Sequence, residues 1–157
     1  MNIDAPIRNV DLDLTGSVAE LHPEAIETIM DRGSLADWRL LSAEIEREPW
    51  GRVARVVENV AGWAEHYGVD PLMQRVIARA RSRLDIEARQ HYAERIRAWR
   101  RDAGLTLREM AVLAGTSESR LSAYENARVA PTTTVLGRIE EVARRHRATR
   151  STEQLPS

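Results

Sequence analysis

The chain has 157 residues, enough for one domain of ordinary size or two small ones. Hydrophobic residues make up 43% and charged residues 30%, with no long apolar run and no charged-then-apolar leader, so neither a membrane span nor a signal peptide is expected and a cytoplasmic location is. Cys is absent and the His residues (His22, His66, His91, His146) are scattered, which argues against disulfides, metal sites and any cofactor.

The net charge of −1 conceals an asymmetry. Residues 1–70 hold 14 Asp and Glu against 6 Arg, a net −8, whereas residues 71–157 hold 10 acids against 17 Arg, a net +7. A chain divided this way offers two surfaces to two kinds of partner.

In chain order, residues 1–20 show no helical period, contain Pro6 and Gly16, and read as a flexible arm. Asp11 to Leu14 alternates polar and apolar briefly, the pattern of a strand that pairs with a partner, but on so short a run disorder is the expectation. From Pro23 the period becomes helical. Pro23 at a first-turn position precedes Ala25, Ile26, Ile29 and Met30, and Gly33 closes that helix. Ser34 and Asp37 form a capping box for a second helix whose apolar face is Leu35, Trp38, Leu41 and Ile45. Pro49 separates it from a third, with Trp50, Val53, Val57, Val60 and Ala64 at spacings of three and four, ended by Gly68. By this spacing Trp38, Trp50 and Trp63 are expected mostly in the core.

Asp70-Pro71 opens a fourth segment with Met73, Val76, Ile77, Ala80 and Leu84 on one face. No Gly or Pro lies between Leu72 and Ala103, which predicts one continuous helix of about 32 residues, about 48 Å long at 1.5 Å per residue. A fresh start capped by Asp85 is the alternative. The Arg residues along this stretch, Arg100 among them, read as a solvated face.

Leu105 to Pro131 carries the densest signal. Thr106 with Glu109 makes a capping box ahead of Leu107, Met110, Ala111 and Ala114. Gly115 follows where a left-handed backbone is cheapest without a Cβ, and Thr116-Ser117 offers hydroxyl caps for a second start. In that second helix Leu121 and Tyr124 point one way and Glu118, Ser119, Ser122 and Ala123 the other, a slim polar face suited to a groove. Two helices joined by a tight Gly turn form a helix-turn-helix. After Pro131, Thr132 to Thr134 cap a last helix with Val135, Leu136, Ile139, Val142 and Ala143 inward, and residues 147–157 read as a disordered tail. The expected fold is thus all-α: an arm (1–20), an acidic helical region (21–88), a helix-turn-helix domain (89–146) and the tail.

Residues 92–146 resemble the phage-repressor (Cro/CI, or Xre) helix-turn-helix family. The resemblance is carried by Gly104-Leu105-Thr106, Arg108-Glu109-Met110-Ala111, Ala114-Gly115-Thr116-Ser117, Leu121-Ser122 and Tyr124-Glu125-Asn126. It implies that Ser117, Glu118, Ser119 and Ala123 stand where relatives touch base edges; Glu118 has the chemistry to accept from cytosine N4, and Ala123 to touch a thymine methyl. Relatives commonly carry a phosphate-contacting Gln at the position of Leu107 and a long polar residue at that of Ala123. Here Arg108, Arg120 and Arg128 are the expected replacements, so the DNA-binding set is Thr106, Leu107, Arg108, Ser117, Glu118, Ser119, Arg120, Ala123 and Arg128. Relatives also add a fifth helix that serves a dimer, and this sequence ends too soon for a good one.

The function expected is sequence-specific binding of double-stranded DNA by a transcriptional repressor, acting as a homodimer joined through the segment before residue 90. One alternative is an antitoxin-like protein, whose acidic half binds a toxin-like partner and whose other half autoregulates. Another is a protein-interaction module of the same fold without DNA affinity. Catalysis is not expected: Glu109 and Glu125 have no His, nucleophile or phosphate loop beside them, and Ser117, Ser119 and Ser122 lack a strained elbow.

Overall fold

A computed structural model of the chain describes residues 17–63 and 68–153. After a 3-10 turn at Val18–Glu20 come α1 (Pro23–Arg32), α2 (Leu35–Arg47), α3 (Arg52–Trp63), α4 (Val69–Ala103), α5 (Leu107–Leu113), α6 (Glu118–Glu125) and α7 (Thr133–Glu153). No strand occurs among the described residues, and the strand suggested for Asp11 to Leu14 lies outside them. The chain divides into two compact units, 1–82 and 83–157, and α4 runs through the division as one helix. Asp85 therefore starts nothing new. Without a helix breaker, each added residue gains a hydrogen bond and no second nucleus has to form.

In the first unit, α1 buries Ile26, Ile29 and Met30, spaced three and four apart, against Leu41 and Ile45 of α2, Val53, Ala54 and Val57 of α3, and Met73, Ile77 and Ala80 of α4. Each of the larger side chains contributes roughly 1.5–3 kcal/mol by leaving water. The Ser34–Asp37 capping box forms as expected, at the start of α2. Trp38 is half-buried and its indole N–H donates to the Ile29 carbonyl at 2.8 Å, a second donor on an acceptor that the Gly33 N–H also reaches at 2.8 Å, which ties α2 to the last turn of α1. Trp50 and Trp63 depart from the core expectation. Trp50 lies in the turn before α3 and is 66% exposed, and Trp63, the last residue of that helix, is 91% exposed. Helical spacing misled for Trp50 because α3 begins only at Arg52.

The second unit packs Ile96 and Ala103 of α4, Met110 and Ala111 of α5, Leu121 and Tyr124 of α6, and Ile139 and Ala143 of α7 into one core. Gly104, at φ +69°, ends α4 with its own N–H on the Arg101 carbonyl and the Leu105 N–H on that of Arg100. α7 continues past His146 to Glu153, correcting the expected disordered tail from residue 147. Its last turns have a use that periodicity does not show: the Arg150 guanidinium donates to the Asp102 carbonyl at 3.3 Å and lies where a Cβ on Gly104 would be. A cation placed there meets the negative end of α4.

Candidate nucleic-acid interface

α5 starts because Thr106 and Glu109 cap it reciprocally. The Thr106 Oγ1 accepts from the Glu109 N–H at 3.2 Å, and Glu109 Oε2 accepts from the Thr106 N–H at 2.8 Å and its hydroxyl at 2.7 Å. These bonds hold the Glu109 carboxyl below its usual pKa range. The helix closes at Gly115, φ +66°, with the Thr116 N–H on the Ala111 carbonyl at 2.9 Å. Ser117 then caps α6 by accepting from the Arg120 N–H at 3.2 Å.

α6 turns Leu121, Tyr124 and Glu125 inward and leaves Glu118, Ser119 and Arg120 exposed. Its far end is fixed by the Asn126 side-chain amide, which donates to the Ser122 carbonyl at 2.8 Å. There Ala127 adopts φ +54°, and the Arg128 N–H reaches back to the Ala123 carbonyl at 2.9 Å. That is the left-handed helix exit for which glycine is the ordinary choice.

The nine residues of the expected DNA-binding set fall into two groups. Arg108, Glu118, Ser119, Arg120 and Arg128 are exposed, and none of them makes an ion pair among the described residues. The rest are already engaged. The Thr106 hydroxyl is spent as donor and acceptor on Glu109, the Ser117 hydroxyl caps α6 and lies 3.2 Å from that of Ser119, Leu107 packs on the core, and Ala123 is half-buried.

The interface also depends on a residue that sequence reasoning misassigned. Arg100 is not part of a solvated face: it is half-buried and holds Glu125 through two hydrogen bonds, of 2.6 and 3.0 Å, while a third reaches the Leu105 carbonyl at 3.2 Å. Glu125 is 7% exposed and its carboxylate raises the Arg100 pKa above its ordinary value. A planar guanidinium bound at both carboxylate oxygens fixes orientation as well as distance. One forked contact thus joins the end of α4, the approach to α5 and the end of α6. The signal was present in the spacing. Arg100 falls on the stripe of Ile96 and Ala103, and Glu125 lies one turn after Leu121, so both are charged residues on apolar faces.

Neither the curated proteins nor the solved structures provide a match to this chain. Residues 91–152, which contain α5, its Gly turn and α6 within the second unit, match a family model described as a helix-turn-helix domain, and this part of the chain is a helix-turn-helix domain.

Proposed function

We propose that the protein is a sequence-specific double-stranded DNA-binding regulator of transcription, a repressor, whose α6 enters the major groove. The observation that carries this reading is the exposed polar face of α6, with Glu118 and Ser119 between Arg108, Arg120 and Arg128, none of the three Arg engaged by a carboxylate among the described residues. Unengaged guanidinium groups beside a slim helix face are suited to phosphate oxygens flanking a groove. Glu118 accepts from cytosine N4, and the three Arg hold the backbone. One α6 reads only a few base pairs, so the protein acts as a homodimer joined through the segment before residue 90, with two half-sites about one helical turn apart.

The test is binding of the full chain to its own upstream DNA over a range of salt concentrations, with light scattering for mass. The expected result is a dimer whose log affinity falls linearly with log salt. Absence of binding at low salt would leave the domain as a protein-interaction module.

A second reading, compatible with the first, is favoured by the exposure of Trp50 and Trp63 in the unit that contains the acidic stretch. In it that unit binds a basic protein, as an antitoxin binds its toxin, while the second unit regulates the operon. Trp is the residue type most enriched at interface anchors.

A further inference from the structure

We infer that Arg89 is a positioning residue for DNA binding, which braces the loop between α6 and α7 from α4 and so holds Arg128 ready for a phosphate. This rests on the DNA-binding reading above and deepens it. Arg89 lies two residues ahead of the part that matches as a helix-turn-helix domain. It is half-buried, although its neighbours Asp85 to Ala88 and Gln90 are all exposed. The cause is what its guanidinium reaches. Nε donates to the Asp85 carbonyl, one turn back on α4, at 3.3 Å, and Nη1 donates to the Arg128 carbonyl, thirty-nine residues on, at 3.4 Å.

The backbone it reaches is sparsely held. The loop begins with the Ala127 N–H on the Tyr124 carbonyl at 3.1 Å and the Arg128 N–H on the Ala123 carbonyl at 2.9 Å. Order returns at Thr132, whose hydroxyl accepts from the Val135 N–H at 3.4 Å. Between these points Val129, Ala130 and Pro131 make no backbone hydrogen bond among the described residues, and Val129 and Ala130 are exposed. The Arg128 carbonyl is the last backbone group before that gap. Because the peptide unit is planar, a held carbonyl fixes the direction in which the chain leaves residue 128. Arg128 is thus gripped at both backbone groups, its N–H by α6 and its carbonyl by α4, and only its side chain is left to search. That side chain is exposed and pairs with no carboxylate among the described residues.

Both bonds of Arg89 are long, so the brace is weak and its loss is expected to lower affinity only a few-fold. The form of the loss is diagnostic. A residue that neutralises a phosphate releases counterions, so removing it also lowers the salt dependence. A residue that only orders the contact leaves the bound complex as it was. Its removal adds an ordering cost to binding and lowers affinity alike at every salt concentration.

The experiment measures binding of the full chain to its own upstream DNA over a range of salt concentrations, for the wild type, Arg89→Met, Arg128→Ala and the double variant. Because Arg89 holds a backbone carbonyl, Arg128→Ala leaves the brace in place and removes only the group that it orients. Arg128→Ala is expected to bind about tenfold more weakly, with a slope lower by about 0.9. Arg89→Met is expected to bind about threefold more weakly at an unchanged slope, and to add nothing in the Arg128→Ala background. In the free protein Arg89→Met raises hydrogen exchange at the Arg128 amide about threefold and leaves the Met110 and Leu121 amides as protected as before. If Arg89→Met lowers the slope by about 0.9 and its effect adds to that of Arg128→Ala, Arg89 is itself a phosphate contact, and positioning is overturned while the DNA-binding reading stands. Wild-type affinity in Arg89→Met, or a loss of protection at Met110 and Leu121, overturns it as well. If the wild type binds no DNA at low salt, the DNA-binding reading fails and the positioning role with it.

Discussion

Arg100 and Glu125, twenty-five residues apart, form a forked ion pair with hydrogen bonds of 2.6 and 3.0 Å, in which the carboxylate side chain is 9% exposed and the guanidinium side chain 23%. Removing one partner strands a charge that water reaches poorly. Removing both leaves a space that apolar side chains can fill. Glu125→Gln or Arg100→Met is expected to destabilise the second unit by about 3 kcal/mol, at the lower end of such losses because Arg100 retains some hydration. In the full chain this appears as roughly a hundredfold loss of hydrogen-exchange protection at the Met110 and Leu121 amides. The double variant Arg100→Met with Glu125→Leu should recover most of it. Equal loss in the single and double variants would contradict a charge-stranding mechanism.

Phosphate and base contacts are separable by how they fail. If Arg120 and Arg128 each neutralise one phosphate, Arg120→Ala or Arg128→Ala lowers the slope of log affinity against log salt by about 0.9 and weakens all sequences alike. Glu118→Gln instead changes which base is preferred at one position, by about 1–3 kcal/mol of discrimination. Selection from a randomised DNA pool distinguishes the two, and an unaltered preference would remove Glu118 from the readout.

Ala127 adopts φ +54° at the exit of α6, a conformation that costs an L residue about 1–2 kcal/mol. Glycine removes the steric cost and adds unfolded-state entropy. Ala127→Gly is expected to stabilise the unit by about 0.5–1 kcal/mol net, with a few-fold rise in exchange protection of α6. A decrease would mean that the methyl group makes a contact outweighing the strain.

Glu58 is held below its ordinary pKa of 4.5, first by the hydrogen bonds from Arg81. A carboxyl whose native pKa lies below its unfolded one gives stability that is fully present above pH about 4.5 and is lost as pH falls through the lowered native value. The stability gap between the wild type and Glu58→Gln, measured by denaturant unfolding, is therefore widest near neutral pH and closes on acidification below about 4.5. A gap independent of pH would assign Glu58 a packing role.

Local chemistry was legible in the sequence wherever one short segment determines its own geometry. The capping boxes at Ser34–Asp37 and Thr106–Glu109, the left-handed Gly115 and the inward Leu121 and Tyr124 all belong to this kind. That Arg100 and Glu125 are charges on apolar faces was legible in the spacing, but which distant position each one meets was not. Arg100 looked like one of many solvated Arg because its partner is two helices away, and Arg81 likewise because Glu58 and Trp50 come from another helix and a turn. The end of α7 was missed for a related reason. Residues 147–153 carry no apolar stripe, and their hold on the domain includes a guanidinium on a distant carbonyl. Trp50 shows the converse error, an apolar residue in register with a helix that begins two positions later.

The contact from Arg150 to the Asp102 carbonyl spans forty-eight residues. It also sets an order of events during synthesis. Domains form as their chain emerges, N-terminal parts first, and a contact between distant positions must wait for the later one. The buried residues of the first unit all precede Arg81, so that core can consolidate while the helix-turn-helix is still being made. In the second unit the residues of α4, α5 and α6 are all synthesised before the residue that sits over Gly104. Until position 150 leaves the ribosome, the end of α4 lacks that guanidinium, and the nascent domain passes through an interval in which its first helix is complete but not yet clasped.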